Sequence, residues 1–193
     1  MAPAPTLVVV GCSAGGLHAL HVLLAGLASD FPLPVAVVCH TGSEDVTLLC
    51  ELLERTSALP VVEAVERRAP TPGTVHIAPS GYHLLIGDDG RFSLSVDPRV
   101  GFARPSIDVL FESAAAYGGA RVVGVIMTGA NSDGAQGLQR IRERDGLAIV
   151  QDPADAEVDH MPAAALAQAG ADHCLPLVEI APLLNRIAKD GRR

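Results

Sequence analysis

Tryptophan is missing from this 193-residue chain, and its aromatic side chains amount to four Phe and two Tyr. Stacking platforms for single-stranded nucleic acid or sugars are therefore scarce, and a core has to be built from Leu, Val, Ile and Ala. Positive charge is short as well: 14 Lys plus Arg against 22 Asp plus Glu leave a formal charge of −8. Such a balance attracts neither the phosphate backbone of nucleic acid nor an anionic membrane. Cysteine is limited to Cys12, Cys39, Cys50 and Cys174 with no Cys-x-x-Cys pair. That argues against a disulfide framework and a zinc ribbon, and the expected setting is a cytoplasm with reduced thiols. The long run without Asp, Glu, Lys or Arg, Leu7 to Ala28, is interrupted by Gly11, Gly15, Gly16 and Gly26 and carries His18 and His21. With no basic segment ahead of it, the run reads as buried strand, turn and helix, against both membrane insertion and a signal peptide.

What is present suits one folded domain: 49% hydrophobic and 19% charged residues, enough for a sizeable core. Short β-branched runs at Thr6 to Val10, Pro34 to Cys39, Pro60 to Ala64, Arg121 to Met127 and Leu147 to Gln151 read as buried strands. Between them Leu17, Leu20, Leu24 and Leu27, then Leu48, Leu49, Leu52 and Leu53, then Val109, Leu110, Ala114 and Tyr117 recur at helical spacing. The alternation implies an α/β fold of three αβα layers around a mostly parallel sheet. From Gly73 to Val96 the rhythm breaks: Thr74 to Ala78, Tyr82 to Ile86 and Arg91 to Val96 are separated by turn residues and read as an antiparallel hairpin or meander attached to the core. A last helix is expected from about Val178 to Lys189, with a frayed end beyond.

Chemistry concentrates at three strand ends. Leu7-Val-Val-Val-Gly-Cys-Ser13-Ala-Gly-Gly-Leu17 runs a strand into a helix through a tight turn, which lifts the Ser13 hydroxyl above the sheet. The helix start offers free N–H groups to an oxyanion. The bland alternative is a glycine-rich turn that binds a phosphate or caps a helix, although neither Gly-x-Gly-x-x-Gly nor Gly-Lys-Ser/Thr is present. His40 follows the second strand at the same carboxyl edge, where open α/β sheets bind ligands. Asp133 occupies the strand-to-helix turn after Met127. Taken singly, His40 reads as a loop-bonded histidine and Asp133 as a helix N-cap. Together they supply a base for the serine and a carboxylate to orient the imidazole. His18 and His21 stand one turn apart without further ligands and read as solvent-facing or packing histidines rather than a metal site. Cys12 is expected to point away from the Ser13 turn, and Cys174 to pack near a buried strand.

The ordered motifs Gly11-Cys-Ser13-Ala-Gly-Gly, His40, Val75-His-Ile-Ala-Pro79 with His83, Arg104-Pro-Ser-Ile-Asp108, Thr128-Gly with Asp133-Gly-Ala135, and Met161-Pro through Ile180 resemble the catalytic domain of CheB-type chemotaxis protein-glutamate methylesterases over nearly the whole chain. The resemblance implies a serine hydrolase with Ser13 as nucleophile, His40 as general base and acid, and Asp133 as the carboxylate behind it. The implied reaction is hydrolysis of glutamate γ-methyl esters on a chemotaxis-type receptor or other methylated protein. Deamidation of glutamine is a further reaction of the family. No metal or organic cofactor is required. Departures from the family pattern are Ala14 for a common Thr, Cys39-His40-Thr41-Gly42 for Gln-His-Met-Pro, and Thr128-Gly-Ala130-Asn131 for Thr-Gly-Met-Gly. Residues 1–193 are expected to form the catalytic domain alone, without a receiver domain and hence without phosphorylation control in cis. Two alternatives stay open: a non-catalytic CheB-like signalling or binding module, and an esterase of the same mechanism acting on a different ester.

Overall fold

A computed structural model describes residues 5–40, 46–117 and 121–190. The β-branched runs form the centre of a seven-stranded sheet: β1 (Pro5–Cys12), β2 (Val35–Cys39), β7 (Arg121–Ile126) and β8 (Leu147–Gln151). Short strands β3 (Val61–Glu63), β4 (Val75–Ile77) and β9 (His173–Leu175) complete it in the order β3-β4-β2-β1-β7-β8-β9, every neighbouring pair parallel. Helices α1 (Gly16–Gly26), α2 (Val46–Glu54) and α6 (Leu177–Asp190) cover one face, and α3 (Ile107–Ala116), α4 (Ala135–Glu143) and α5 (His160–Gln168) the other. The expected three-layer α/β architecture is the one observed.

Register follows from the two-residue period of a strand. Val8, Val10 and Cys12 of β1 pack beneath α1 and α6, while Leu7 and Val9 meet the opposite helices; Val35, Val37 and Cys39 of β2 divide from Ala36 and Val38 in the same way. A one-residue slip would exchange the faces of a whole strand, which pins the pairing of Val8 with Val35 and of Cys12 with Cys39. Gly11 has no side chain for a packing reason, since a Cβ there would run into Ile107 at the start of α3.

Two expectations are corrected. Only β5 (His83–Ile86) and β6 (Phe92–Ser95) form the antiparallel hairpin; the Thr74 to Ala78 segment supplies β4, inserted between β2 and β3 of the main sheet. Each residue of β4 is buried, as an interior strand must be, whereas Ser93, Leu94 and Ser95 of β6 are only half-buried. The hairpin rests on α3, where the N–H of Ile86 donates to Ser113 Oγ at 3.0 Å. Cys174, read above as packing, lies exposed in the edge strand β9, whose three residues leave the central one facing outward. The last helix spans Leu177–Asp190, and residues 191–193 lie outside the described residues. Among the described residues no helix is long and apolar enough to cross a membrane.

The chain leaves β1 toward β2 and later returns to place β7 on the other side of β1. The carboxyl ends of β1 and β7 therefore flank the point where the winding reverses, the place where α/β sheets open a crevice.

Candidate active site

Ser13 follows the last residue of β1. Its carbonyl accepts the Gly16 N–H at 2.7 Å, closing the turn, and Gly15 takes the left-handed φ of 76° that lets α1 start immediately. Thr128, buried at the end of β7, holds this turn from the side. The Ser13 N–H donates to the Thr128 carbonyl at 3.0 Å, and Thr128 Oγ1 donates to the Ala14 carbonyl at 2.9 Å. Thr128 Oγ1 also accepts the Val158 N–H, and its own N–H donates to Gln151 Oε1, both at 2.9 Å. Ser13 thereby emerges half-buried on a turn fixed by two neighbouring strands.

His40 leaves β2 at the same edge, its N–H donating to the Cys12 carbonyl at 3.0 Å. Ser13 and His40 line one cavity of about 280 Å³ together with Cys39, Ser80, Arg99 and Asn131. Asp133 lies behind the imidazole, with Oδ2 3.0 Å from His40 Nε2 and both side chains largely buried. The two atoms are in close contact, but the ring is not turned so that Nε2 aligns on the carboxylate, so the pairing is only loosely directed here. His40 Nδ1 is 3.5 Å from the amide nitrogen of Asn131, whose Oδ1 accepts the Asp133 N–H at 3.1 Å. Among the described residues no hydrogen bond joins Ser13 Oγ to His40, the looseness expected of such a pair before substrate arrives. All three residues read from the sequence thus meet at one rim of the sheet.

Asp133 is not the cap of its own helix; Gly134 holds that position with a φ of 97°. Asp133 instead crosses to the start of α3. Oδ1 accepts Ser106 Oγ at 2.8 Å and the Asp108 N–H at 2.9 Å, and Oδ2 accepts the Ile107 N–H at 2.7 Å. Burial works against the charge, but the His40 ring, these two N–H groups and Ser106 outweigh it and hold the carboxyl below its ordinary range. Asp108 reciprocates: its Oδ1 accepts the Gly137 N–H at 2.7 Å in the first turn of α4. There burial prevails and, with the nearby charge of Asp133 adding to it against the Gly137 bond, pushes Asp108 up to about 6.

The two carboxyls pull stability in opposite directions with pH. Asp133, depressed in the fold, stabilises above the unfolded value and loses that contribution as acid titrates it. Asp108, raised in the fold, costs stability as pH climbs from the unfolded value near 4 through about 6. Asp108→Asn keeps an acceptor for Gly137 and removes this penalty. Its melting temperature relative to the parent is expected to rise between pH 4 and pH 7 by about 2–4 °C, the response of a domain this size to ~1 kcal/mol. Melting curves at four pH values check this, and a difference that stays flat with pH refutes it.

Other motifs fall outside the site. His18 is exposed, and His21 Nδ1 sits 2.8 Å from Thr56 Oγ1. Among the described residues no three His, Cys, Asp or Glu gather as a metal site. Cys12 points into the core, as expected. Thr41 and Gly42 lie outside the described residues. The roles of Ser106, Thr128 and Asn131 went unread in the sequence, because each depends on a partner brought in by the fold. His83 is another such residue: fully buried, it accepts the Ser106 N–H at Nδ1 and bonds the Pro98 carbonyl through Nε2, steadying the segment that leads to Ser106.

A wound α/β sheet with a serine, an imidazole and a paired carboxylate around one crevice has the layout of a serine hydrolase domain. The chain belongs to the CheB methylesterase family, whose model matches residues 8–184. It is 44% identical over 184 residues to a Leptospira interrogans protein provisionally named a protein-glutamate methylesterase/protein-glutamine glutaminase, covering 95% of both chains. It is 41% identical to the protein-glutamate methylesterase FrzG of Myxococcus xanthus, matching 94% of this chain and 54% of that one. Among solved structures it resembles the CheB methylesterase catalytic domain of Thermotoga maritima with a TM-score of 0.89 and 31% identity, over 95% of this chain and 99% of the other.

Proposed function

We propose that the chain hydrolyses glutamate γ-methyl esters on a methylated chemotaxis-type receptor or similar protein, with Ser13, His40 and Asp133 as its catalytic residues. The observation that carries this reading is the convergence of the three side chains at the β1 and β7 edge, in a protein whose relatives bear that activity in their names. Since His40 Nε2 faces Asp133, the base is the other ring nitrogen: Nδ1 takes the Ser13 proton as Oγ bonds the ester carbonyl carbon. The N–H groups of Ala14 and Gly15, which adjoin Ser13 and donate to no backbone carbonyl among the described residues, are the donors assigned to the oxyanion. The methoxide leaves with the proton held at Nδ1, giving methanol and a glutamyl-Ser13 ester. Water, activated by the same nitrogen, then releases glutamate. Attack on a glutamine side chain by the same route releases ammonia.

Charge on the cavity wall supports a carboxylate-rich protein substrate. Arg99 and Arg104 line it in an otherwise acidic chain, and the guanidinium of Arg104 is held by the carbonyls of Val96 and Asp97. Such a substrate implies work on the cytoplasmic side of a receptor, with no nucleic acid involved. The test compares methanol release from a methylated receptor domain with release from a small methyl ester. Turnover of the protein well above that of the small ester is expected. Equal rates on both would point to a general esterase, and no release from either to a binding module.

A further inference from the structure

Two thiols stand directly behind the proposed catalytic pair, and the mechanism uses neither. Cys12 precedes Ser13, Cys39 precedes His40, and the two are paired in register as the last residues of β1 and β2. Paired residues of neighbouring strands lie ~4.8 Å apart, within the Cα separation that a disulfide spans. Both side chains point to the same face of the sheet. A Cβ on Gly16 would lie 2.8 Å from Cys12 Sγ and 3.2 Å from Cys39 Sγ, so both sulfurs converge on bare glycine backbone. Cys12 is fully enclosed, whereas Cys39 opens onto the cavity that holds Ser13 and His40.

We propose that Cys12 and Cys39 form a reversible oxidation site, closing to a disulfide when hydrogen peroxide enters the active-site cavity. The Cys39 thiolate attacks one peroxide oxygen and the O–O bond breaks, leaving a sulfenic acid and hydroxide. The Cys12 sulfur then attacks the Cys39 sulfur. The S–S bond forms and the S–O bond breaks; the Cys12 proton passes to the hydroxide of the first step, and the proton that Cys39 gave up on ionising goes to the hydroxide leaving its sulfur, so two thiols and one peroxide yield one disulfide and two waters. The Cys12 thiol donates to the Gly16 carbonyl at 3.9 Å, and the closeness of the two sulfurs lowers the Cys39 thiol while it and burial raise Cys12. Cys39 is the attacker because it opens onto the cavity that peroxide enters, and the enclosed Cys12 is the resolver. Cys50, by contrast, is pushed up to about 11 by burial and nearby glutamates.

Closing the bond draws the two sulfurs to about 2.05 Å. That movement pulls on the residues that carry the hydroxyl and the imidazole, and a displacement of about 1 Å there costs on the order of 10²-fold in rate. The test treats the intact protein with hydrogen peroxide, alkylates remaining thiols under denaturing conditions and maps peptides by mass without reduction. A Cys12–Cys39 linked peptide about 2 Da below the sum of its parts is expected, with Cys50 and Cys174 alkylated. The Cys50→Ser/Cys174→Ser double variant should form the same link, and Cys12→Ala should form none. Recovery of Cys12 and Cys39 as free thiols, or of Cys39 as sulfinic acid without a link, overturns the proposal. The thiol map is independent of turnover, so it stands or falls separately from the esterase reading. Where methylesterase activity is measurable, it should fall at least tenfold on oxidation and return with dithiothreitol.

Discussion

Ser13→Ala should lower methanol release from a methylated receptor domain by at least about 10⁴-fold, the scale on which a hydrolase loses its nucleophile. The fold should not notice. Ser13 is half-buried, its turn is held by backbone bonds from Gly16 and Thr128, and its hydroxyl makes no hydrogen bond among the described residues. The melting temperature is therefore expected to stay within about 2 °C of the parent, since a substitution that leaves no buried group unpaired costs about 0.5 kcal/mol or less. Ser80 sharpens the comparison, because it lines the same cavity without a strand-to-helix turn beneath it. A serine-directed fluorophosphonate should label the parent and Ser80→Ala equally and leave Ser13→Ala unlabelled. Labelling that survives in Ser13→Ala and vanishes in Ser80→Ala would move the nucleophile to the other serine and break the link with His40 and Asp133.

What could be read in advance depended on how local its cause was. β1, β2, β7 and β8 announce themselves because each is a buried β-branched run, and burial on both faces confines polar residues such as Thr6, Arg121 and Gln151 to the strand ends. β4 was assigned to the wrong sheet because three residues carry no sign of their neighbours and the turn chemistry of Pro79-Ser-Gly81 ties them to the hairpin; only the ladders to Val35 and Val61 decide. β9 went unnoticed because His173-Cys-Leu175 is short and half-exposed. In the same way Ser13, His40 and Asp133 were legible as strand-end residues, but what Asp133 holds was not. Its partners Ser106, Ile107 and Asp108 belong to the start of a helix formed well before it in the chain, and only the packing of α3 on α4 brings them together.

That anchoring gives Asp133→Asn two effects at once. The carboxylate has two oxygens and four neighbours that ask for an acceptor: Ser106 Oγ and the Asp108 N–H at Oδ1, the Ile107 N–H and His40 Nε2 at Oδ2. Asparagine supplies one oxygen. If it keeps the Oδ1 place, its NH₂ faces the Ile107 N–H, a donor against a donor, and one buried group goes unpaired at a cost of about 1–3 kcal/mol. The start of α3 also loses the anion its dipole favours. The melting temperature at neutral pH should fall by about 3–10 °C. The acid-side loss of stability that comes from titrating Asp133 should disappear, because that contribution exists only above the depressed value of the carboxyl. Catalysis should fall further than stability. The same NH₂ donates to His40 Nε2, which must then give up its proton and leave it on Nδ1, the nitrogen that has to accept from Ser13. A base in the wrong tautomer costs on the order of 10⁴-fold in kcat. Calorimetry and methanol release on one preparation check both effects, and a folded Asp133→Asn enzyme within tenfold of the parent rate would show that the carboxylate serves the fold alone.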